Sequence, residues 1–280
     1  MPSKKSPIAW KEVCKPIEKG GLHIIDLDVW NKVTMLKLLW DLRKKTDSLW
    51  VLWMHSYYIR DQDVMEMELK HDSSWIVKGI LKARAVIPVI LNTWNQTLHE
   101  SKFRMGKIYR DLNRNYTNVS WSVLFAGNIA RPRALYCLWL ACHKRLATRE
   151  RLAKFGLIND TNCCFCNHNE TMEHLFYGCS TMKNIWSEIL DWLHIGHTPL
   201  EWSQELQWLT RSGKGKGIKV GILKMAAAEC VYQCWRFRND VCFGNIHDIG
   251  KVVHNIKEAI IHRGWSYRKY KEFIARNLML

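Results

Sequence analysis

No apolar run in the chain approaches the roughly 18 residues a membrane-spanning helix requires, so no partner membrane is expected. The opening MPSKKSPIAWKE is polar and basic and lacks the apolar core of a secretory leader. No serine stands in a G-x-S-x-G frame, which removes the strained-turn nucleophile of the α/β-hydrolases. The alternating glycines and lysines from Gly213 to Gly217 lack Walker spacing and read as a solvated linker, not a phosphate loop. There is no internal repeat and no long low-complexity tract, so a solenoid is excluded. Acidic residues are scarce as well. Asp plus Glu number 26 against 42 Lys plus Arg, a net charge of +16 that favours a polyanionic partner, RNA or DNA.

What is abundant is tryptophan and cysteine. Fifteen tryptophans occur among 280 residues. Trp10, Trp30, Trp40, Trp50, Trp53, Trp75 and Trp94 fall within the first hundred, and most are expected in a core, because a buried indole removes a large apolar area from water. The ten cysteines suggest no disulfide framework. Without a secretory leader they point to an intracellular, reducing location, nuclear or cytoplasmic, where clustered cysteines bind metal more often than they pair.

Four residues carry the strongest signal. Cys163, Cys166, His174 and Cys179 form a C-x2-C-x7-H-x4-C array within NCCFCNHNETMEHLFYGCS. The two-residue gap lets one tight turn aim two sulfurs at one ion, and a helical turn and its exit can supply the other two ligands. Four such donors close a tetrahedral shell around Zn²⁺ with no open position, which marks a structural site and not a metal catalyst. Cys164 cannot easily share an ion with its neighbour Cys163 and is expected to pack or face outward. His168 is expected to be a polar loop residue.

Hydrophobic periodicity predicts a mostly α fold. Helices are expected from Asp28 to about Leu42, from Ser48 to Ile59 with Leu49, Leu52 and Trp53 on one face, and from Ser74 to Ala85 with Pro88 as terminator. Residues 110–120 read as a connector. Arg131-Pro132-Arg133 opens an amphipathic helix through Leu135, Leu138, Trp139, Cys142 and Leu146. Thr148 caps a short helix that Gly156 closes, and Ser180 caps one carrying Met182, Trp186, Ile189, Leu190 and Leu193. Residues 211–221 form a basic linker, followed by helices over 222–237 and 246–262 and a basic, aromatic tail. The domain reading is therefore 1–110, 118–195 for the zinc-binding domain, the linker 211–221, and a C-terminal helical region 222–280.

The flanks of the array carry a resemblance. Trp139-Leu140, the run Lys144 to Arg149, Leu152, Gly156, Cys163, Cys166, Glu170-Thr171, Glu173 to Phe176, Cys179 and Trp186 resemble, in order and spacing, the zinc-binding region of reverse transcriptases from plant non-LTR (LINE-type) retrotransposons. This chain departs from that pattern mainly in having Cys164-Phe165 between the first two ligands. Ala9-Trp10, Val13-Cys14, Pro16, Gly20-Gly21-Leu22, Asp26-Leu27 and Trp30 to Lys32 are similar to the segment that follows the palm and thumb in the same polyproteins, and Cys234 to Asn239 to the helix after the zinc region. The resemblance implies that residues 1–110 are a post-palm connector.

Polymerase chemistry needs paired carboxylates holding two metal ions. The Ala-Asp-Asp palm signature of that family is absent here, and Asp26, of the pair Asp26 and Asp28, matches a non-catalytic turn. The expectation is therefore no catalytic residue and no enzyme activity by this chain alone. The expected activity is zinc-dependent binding of RNA or DNA. Lys144, Arg145, Arg149, Arg151 and Lys154 are the expected phosphate contacts, and Phe165 either stacks on a base or packs. Two alternatives stand beside it: a structural zinc module that binds protein, such as a reverse transcriptase, and a transposon remnant without function.

Overall fold

The computed structural model describes residues 7–69, 71–113, 116–244 and 248–278. The polar start, positions 114–115 of the expected connector, position 246 where the C-terminal helix is expected to begin, and the last two residues of the tail lie outside the described residues. The fold is mostly α, as expected: 65% helical, with thirteen α-helices and no strand among the described residues. No helix among them is long and apolar enough to cross a membrane.

The chain divides into two units. The smaller comprises Lys11–Pro16 and Gly21–Thr117. A four-residue helix, α1 (Trp10–Val13), lies at its start, followed by α2 (Leu27–Lys44), α3 (Leu49–Met54), α4 (Trp75–Ala83), α5 (Leu91–His99) and α6 (Met105–Leu112). Helix α2 begins where the Asp26 carboxylate accepts the N–H groups of Asp28 and Val29 at 3.0 and 3.3 Å. That bond satisfies donors the first helical turn would leave orphaned, which gives Asp26 a capping role. Val33, Leu36, Leu39 and Trp40 of α2 are buried with Ile80, Trp94 and Ile108 in this unit's core.

Three sequence expectations are corrected in this unit. Helix α3 is only six residues long and passes into a π-turn over His55–Ile59. Val51 and Met54 of the helix and Ile59 of the turn face the core, while Leu49 is 87% exposed and Leu52 and Trp53 lie in solvent, so the face those three share is the outer one. Pro88 does not stop the chain, because it sits in a 3-10 segment, Arg84–Ile90, that leads directly into α5. Of the seven tryptophans in the first hundred residues only Trp40 and Trp94 are buried, while Trp10, Trp53 and Trp75 are exposed. Helices this short offer one inward face, too little to cover them all.

The larger unit comprises Met1–Trp10, Ile17–Gly20 and Asn118–Leu280. Its helices are α7 (Pro132–Cys142), α8 (Arg149–Lys154), α9 (Ser180–Trp192), α10 (Trp202–Ser212), α11 (Ile218–Cys242), α12 (Ile249–Trp265) and α13 (Arg268–Asn277). Pro132 occupies the first turn of α7, where its missing N–H has no intrahelical partner to lose. Thr148 accepts the Arg151 N–H to start α8, and Gly156 closes it at φ 68°, a left-handed conformation glycine adopts without a steric penalty.

Helix α11 is the axis of this unit and packs on α7, α9, α12 and α13. It buries Met225, Ala226, Ala227, Ala228 and Val231 together with Lys224, Glu229, Gln233 and Arg238. Burial on every side is why the sequence does not show it as a simple amphipathic stripe. The segment 118–195 and the helices beyond 222 share one core containing Leu175, Phe176, Trp186, Met225, Val231 and Ile256. Residues 211–221 are therefore no interdomain linker: α10 ends at Ser212 and α11 begins at Ile218, so the connection spans only 213–217.

Candidate metal centre

The two halves of the array are built by different local rules. Cys163 and Cys166 lie on a tight loop whose ends are joined by the antiparallel bridge between Asn162 and Asn169. Inside it the Cys163 N–H donates to the His168 carbonyl at 2.6 Å, and the Asn167 N–H donates back to the Cys163 carbonyl at 3.1 Å. Asn167 takes φ 60°, a left-handed turn that asparagine tolerates. The loop bends back on itself and carries both sulfurs on the same side.

His174 and Cys179 are set by a π-turn. The Thr171 hydroxyl accepts the His174 N–H at 3.1 Å, and the chain then winds through His174–Gly178. The turn is closed by the Cys179 N–H donating to the His174 carbonyl at 2.6 Å, so one backbone bond joins the two ligand residues. Gly178 eases a close approach here: a Cβ on it would lie 3.1 Å from the Glu173 carbonyl oxygen, which would have to give by a few tenths of an ångström. Leu175, Phe176 and Tyr177 between the ligands point into the core and anchor the turn. Cys179 itself, and not Ser180 as expected, occupies the N-cap position of α9. Its sulfur meets the N–H groups of Thr181 and Met182, donors that favour negative charge at a helix start.

The four donor atoms converge. The sulfur or ring-nitrogen atoms of Cys163, Cys166, His174 and Cys179 all lie within 4.8 Å of one another. Cys163 Sγ is 4.0 Å from Cys179 Sγ, and Cys166 Sγ is 3.1 Å from His174 Nε2. A tetrahedral zinc shell has edges of about 3.5–3.8 Å, as follows from Zn–S of ~2.3 Å and Zn–N of ~2.0 Å. The observed separations straddle those edges, so the residues fit a four-coordinate ion. The Cys163 thiol is held well below its ordinary range by hydrogen bonds from the Cys164 and Cys179 thiols and the Phe165 N–H, against its burial. Donation toward Cys163 and burial push Cys179 up. Three soft or borderline sulfurs and one imidazole, closed on themselves and half covered by core, form a cluster able to hold a metal with no open catalytic position.

A neighbouring group sharpens the assignment. Cys164, Glu170 and Cys242 also approach within 4.8 Å of one another. Both Glu170 oxygens are already occupied, by Arg238 Nε at 3.0 Å, by Arg238 Nη2, and by the Arg149 N–H at 2.8 Å. A metal there would have to displace a buried guanidinium, so Cys164 belongs to an ion-pair cluster and leaves the four-ligand set intact. Replacing Cys164 with Ser should leave the metal content of the purified chain unchanged; loss of metal from this variant would count against the four-residue assignment. His168 stays outside the set, with its Nδ1 3.1 Å from the Cys166 carbonyl oxygen.

The six residues expected to meet nucleic acid have varied surroundings. Lys144 pairs with Glu173 at 2.8 Å, Lys154 with Glu150 at 2.6 Å, and Arg149 with Asp160 at 2.5 Å. Arg149 also reaches Cys242 Sγ at 3.9 Å, which ties it into the structure. Glu173 accepts from Ser203 as well, and these bonds hold its carboxyl below the ordinary range despite its partial burial. Arg145 and Arg151 have no acidic partner among the described residues, and Arg151 lies over the Phe155 ring. Phe165 packs, with its ring centroid 5.0 Å from that of Phe237 at the edge of the core. The buried Glu170–Arg238 pair was not foreseen, although both residues lie in the quoted motifs. An acid three residues before an acid-histidine pair, and an arginine directly after an aromatic, was the signal available.

Comparison with known proteins adds one finding. A family model described as zinc-binding in reverse transcriptase matches residues 103–186, a span containing all four cluster residues. Neither the curated proteins nor the solved structures contain a match.

Proposed function

We propose that Cys163, Cys166, His174 and Cys179 bind one structural Zn²⁺, and that the chain is a zinc-binding, nucleic-acid-binding part of a non-LTR, LINE-type reverse transcriptase. The convergence of one nitrogen and three sulfurs within 4.8 Å carries this reading. The match to zinc-binding in reverse transcriptase supports the polymerase connection. The zinc folds the module; it does no chemistry, because four protein ligands leave no position for water or substrate. The sequence lacks the Ala-Asp-Asp signature, and the activity proposed for this chain is binding.

The net charge of +16 supports RNA or DNA as the partner. Neutralising phosphates releases counterions, so affinity for a single strand should fall steeply with salt, with a logarithmic slope of about −0.7 per phosphate contact. An electrophoretic shift assay with zinc-loaded protein at several salt concentrations checks this; salt-insensitive binding, or none at low salt, would sink the nucleic-acid reading.

A protein-binding module is the second reading, favoured by one surface. In the smaller unit Leu49, Leu52, Trp53 and Tyr57 are exposed together, with Trp53 and Tyr57 stacked at 5.9 Å between ring centroids. Contiguous apolar surface of this kind marks interaction sites. Co-purification of a reverse transcriptase that survives nuclease treatment would support it.

A further inference from the structure

We infer that the groove between α11 and α12 holds the phosphodiester backbone of single-stranded nucleic acid, with Gln233 at its floor and Arg131, Arg236 and Arg263 on its walls. This rests on the nucleic-acid reading above and assigns it a place. Two cavities, of about 400 and 160 Å³, share Gln233, Arg236 and Asn255 and so run into one another along the helix pair. A continuous groove suits a polymer better than a single small anion.

The walls are preorganised. Arg131 is locked by Glu229, which accepts its Nε at 2.9 and 3.0 Å, and its guanidinium lies 5.5 Å from the centre of the Tyr232 ring. Arg236 lies over the same ring at 5.9 Å and has no acidic partner among the described residues. Arg263 donates its Nε to the Ile129 carbonyl at 2.6 Å and rests on Tyr267 at 5.5 Å. The bonds that fix Arg131 and Arg263 leave N–H groups on each free to meet phosphate oxygens, and a guanidinium already fixed loses little freedom on doing so. Three acids line the groove: Glu258 in the larger cavity, 3.5 Å from His254 Nε2, and Asp240 and Asp248 in the smaller, where Lys251 stands beside them and Asp248 accepts the Gly250 N–H at the start of α12.

The floor adds a neutral donor. Gln233 lines both cavities, is only 6% exposed, and makes no hydrogen bond to any described residue. Its amide is open to the groove, and a phosphate oxygen placed there would accept its N–H in place of water. The exposed Trp265 and Tyr267 stand where α12 ends and offer faces on which bases can stack.

The test measures fluorescence anisotropy of labelled polyuridine and oligo-dT with the zinc-loaded full chain across a salt series. R236A/R263A should weaken binding by about tenfold or more at low salt and reduce the salt slope by about 1.4, two lost contacts at ~0.7 each. Q233E should bind more weakly than Q233M, since it sets a carboxylate against phosphate where the apolar isostere only removes a donor. Unfolding profiles matching the wild type keep these readouts free of folding effects. Wild-type binding that is undiminished in R236A/R263A but lost in R145A/R151A would overturn this inference alone. Absence of wild-type binding would overturn the nucleic-acid reading and this inference with it. Competition by free uridine monophosphate as strong, per phosphate, as by polyuridine would replace the polymer with a mononucleotide.

Discussion

A Cys163→Ser chain should purify without stoichiometric metal and with the segment around residues 160–180 unfolded. Cys163 is 1% exposed, its sulfur is 4.0 Å from that of Cys179, and it sits where the loop turns back on itself. A serine oxygen is a harder and far less acidic donor, so the shell would lose one of its three sulfurs. Metal binding in such modules is worth about 10–16 kcal/mol of apparent free energy, and that energy is folding energy where the site does not exist in the unfolded chain. The local core contributes too: Leu175, Phe176 and Tyr177 reach it from the π-turn that carries His174 and Cys179. Release of the turn therefore loosens α9 as well. Protease should cut the variant within the array, and a chelator should produce the same cleavage pattern in the wild type. A variant that resisted protease like the wild type would show that hydrophobic packing alone holds the turn.

The second large effect is expected at Arg238. Its guanidinium is buried against Glu170, which is 0% exposed. Burying two charges is costly, and their attraction offsets this only because the geometry is bidentate and a third donor, the Arg149 N–H, completes the carboxylate. Arg238→Met leaves that carboxylate buried without its cation and should destabilise the zinc-loaded chain by about 3–5 kcal/mol. Removing both charges in E170L/R238M should restore most of the loss, short of about 1 kcal/mol for the orphaned Arg149 N–H. Urea unfolding of the four chains of this cycle measures the coupling. A loss below 1 kcal/mol in Arg238→Met would mean that water reaches the pair. The pair matters for the metal site because Glu170 lies between the loop carrying Cys166 and the turn carrying His174, and Arg238 joins it to α11.

Much of this was legible before any coordinates. The spacing of Cys163, Cys166, His174 and Cys179 was enough to propose the ligand set, since few chemistries other than metal binding need soft donors so close together. Thr148, Ser74 and Pro132 marked helix starts because capping and first-turn rules act locally. Features that depend on the third dimension were not legible. The π-turns at His55–Ile59 and His174–Gly178 each add a residue to a helical turn, and a 3.6-residue pattern cannot report that. The first cuts short the helix whose outer face carries Leu49, Leu52 and Trp53; the second brought His174 and Cys179 together. Helix α10 escaped notice although Trp202, Leu206 and Leu209 follow helical spacing after Pro199. The burial of Lys224, Glu229 and Arg238 on α11 hid that helix's central place, because charged residues normally mark the outside.

Metal analysis of the purified 280-residue chain, by mass spectrometry under native conditions, tests the central claim most directly. One zinc per chain, lost on replacing Cys163, Cys166, His174 or Cys179 and kept on replacing Cys164 or His168, is the predicted result. A chain that is folded without zinc, or that keeps its zinc when any one of the four is replaced by a non-ligand, would contradict it.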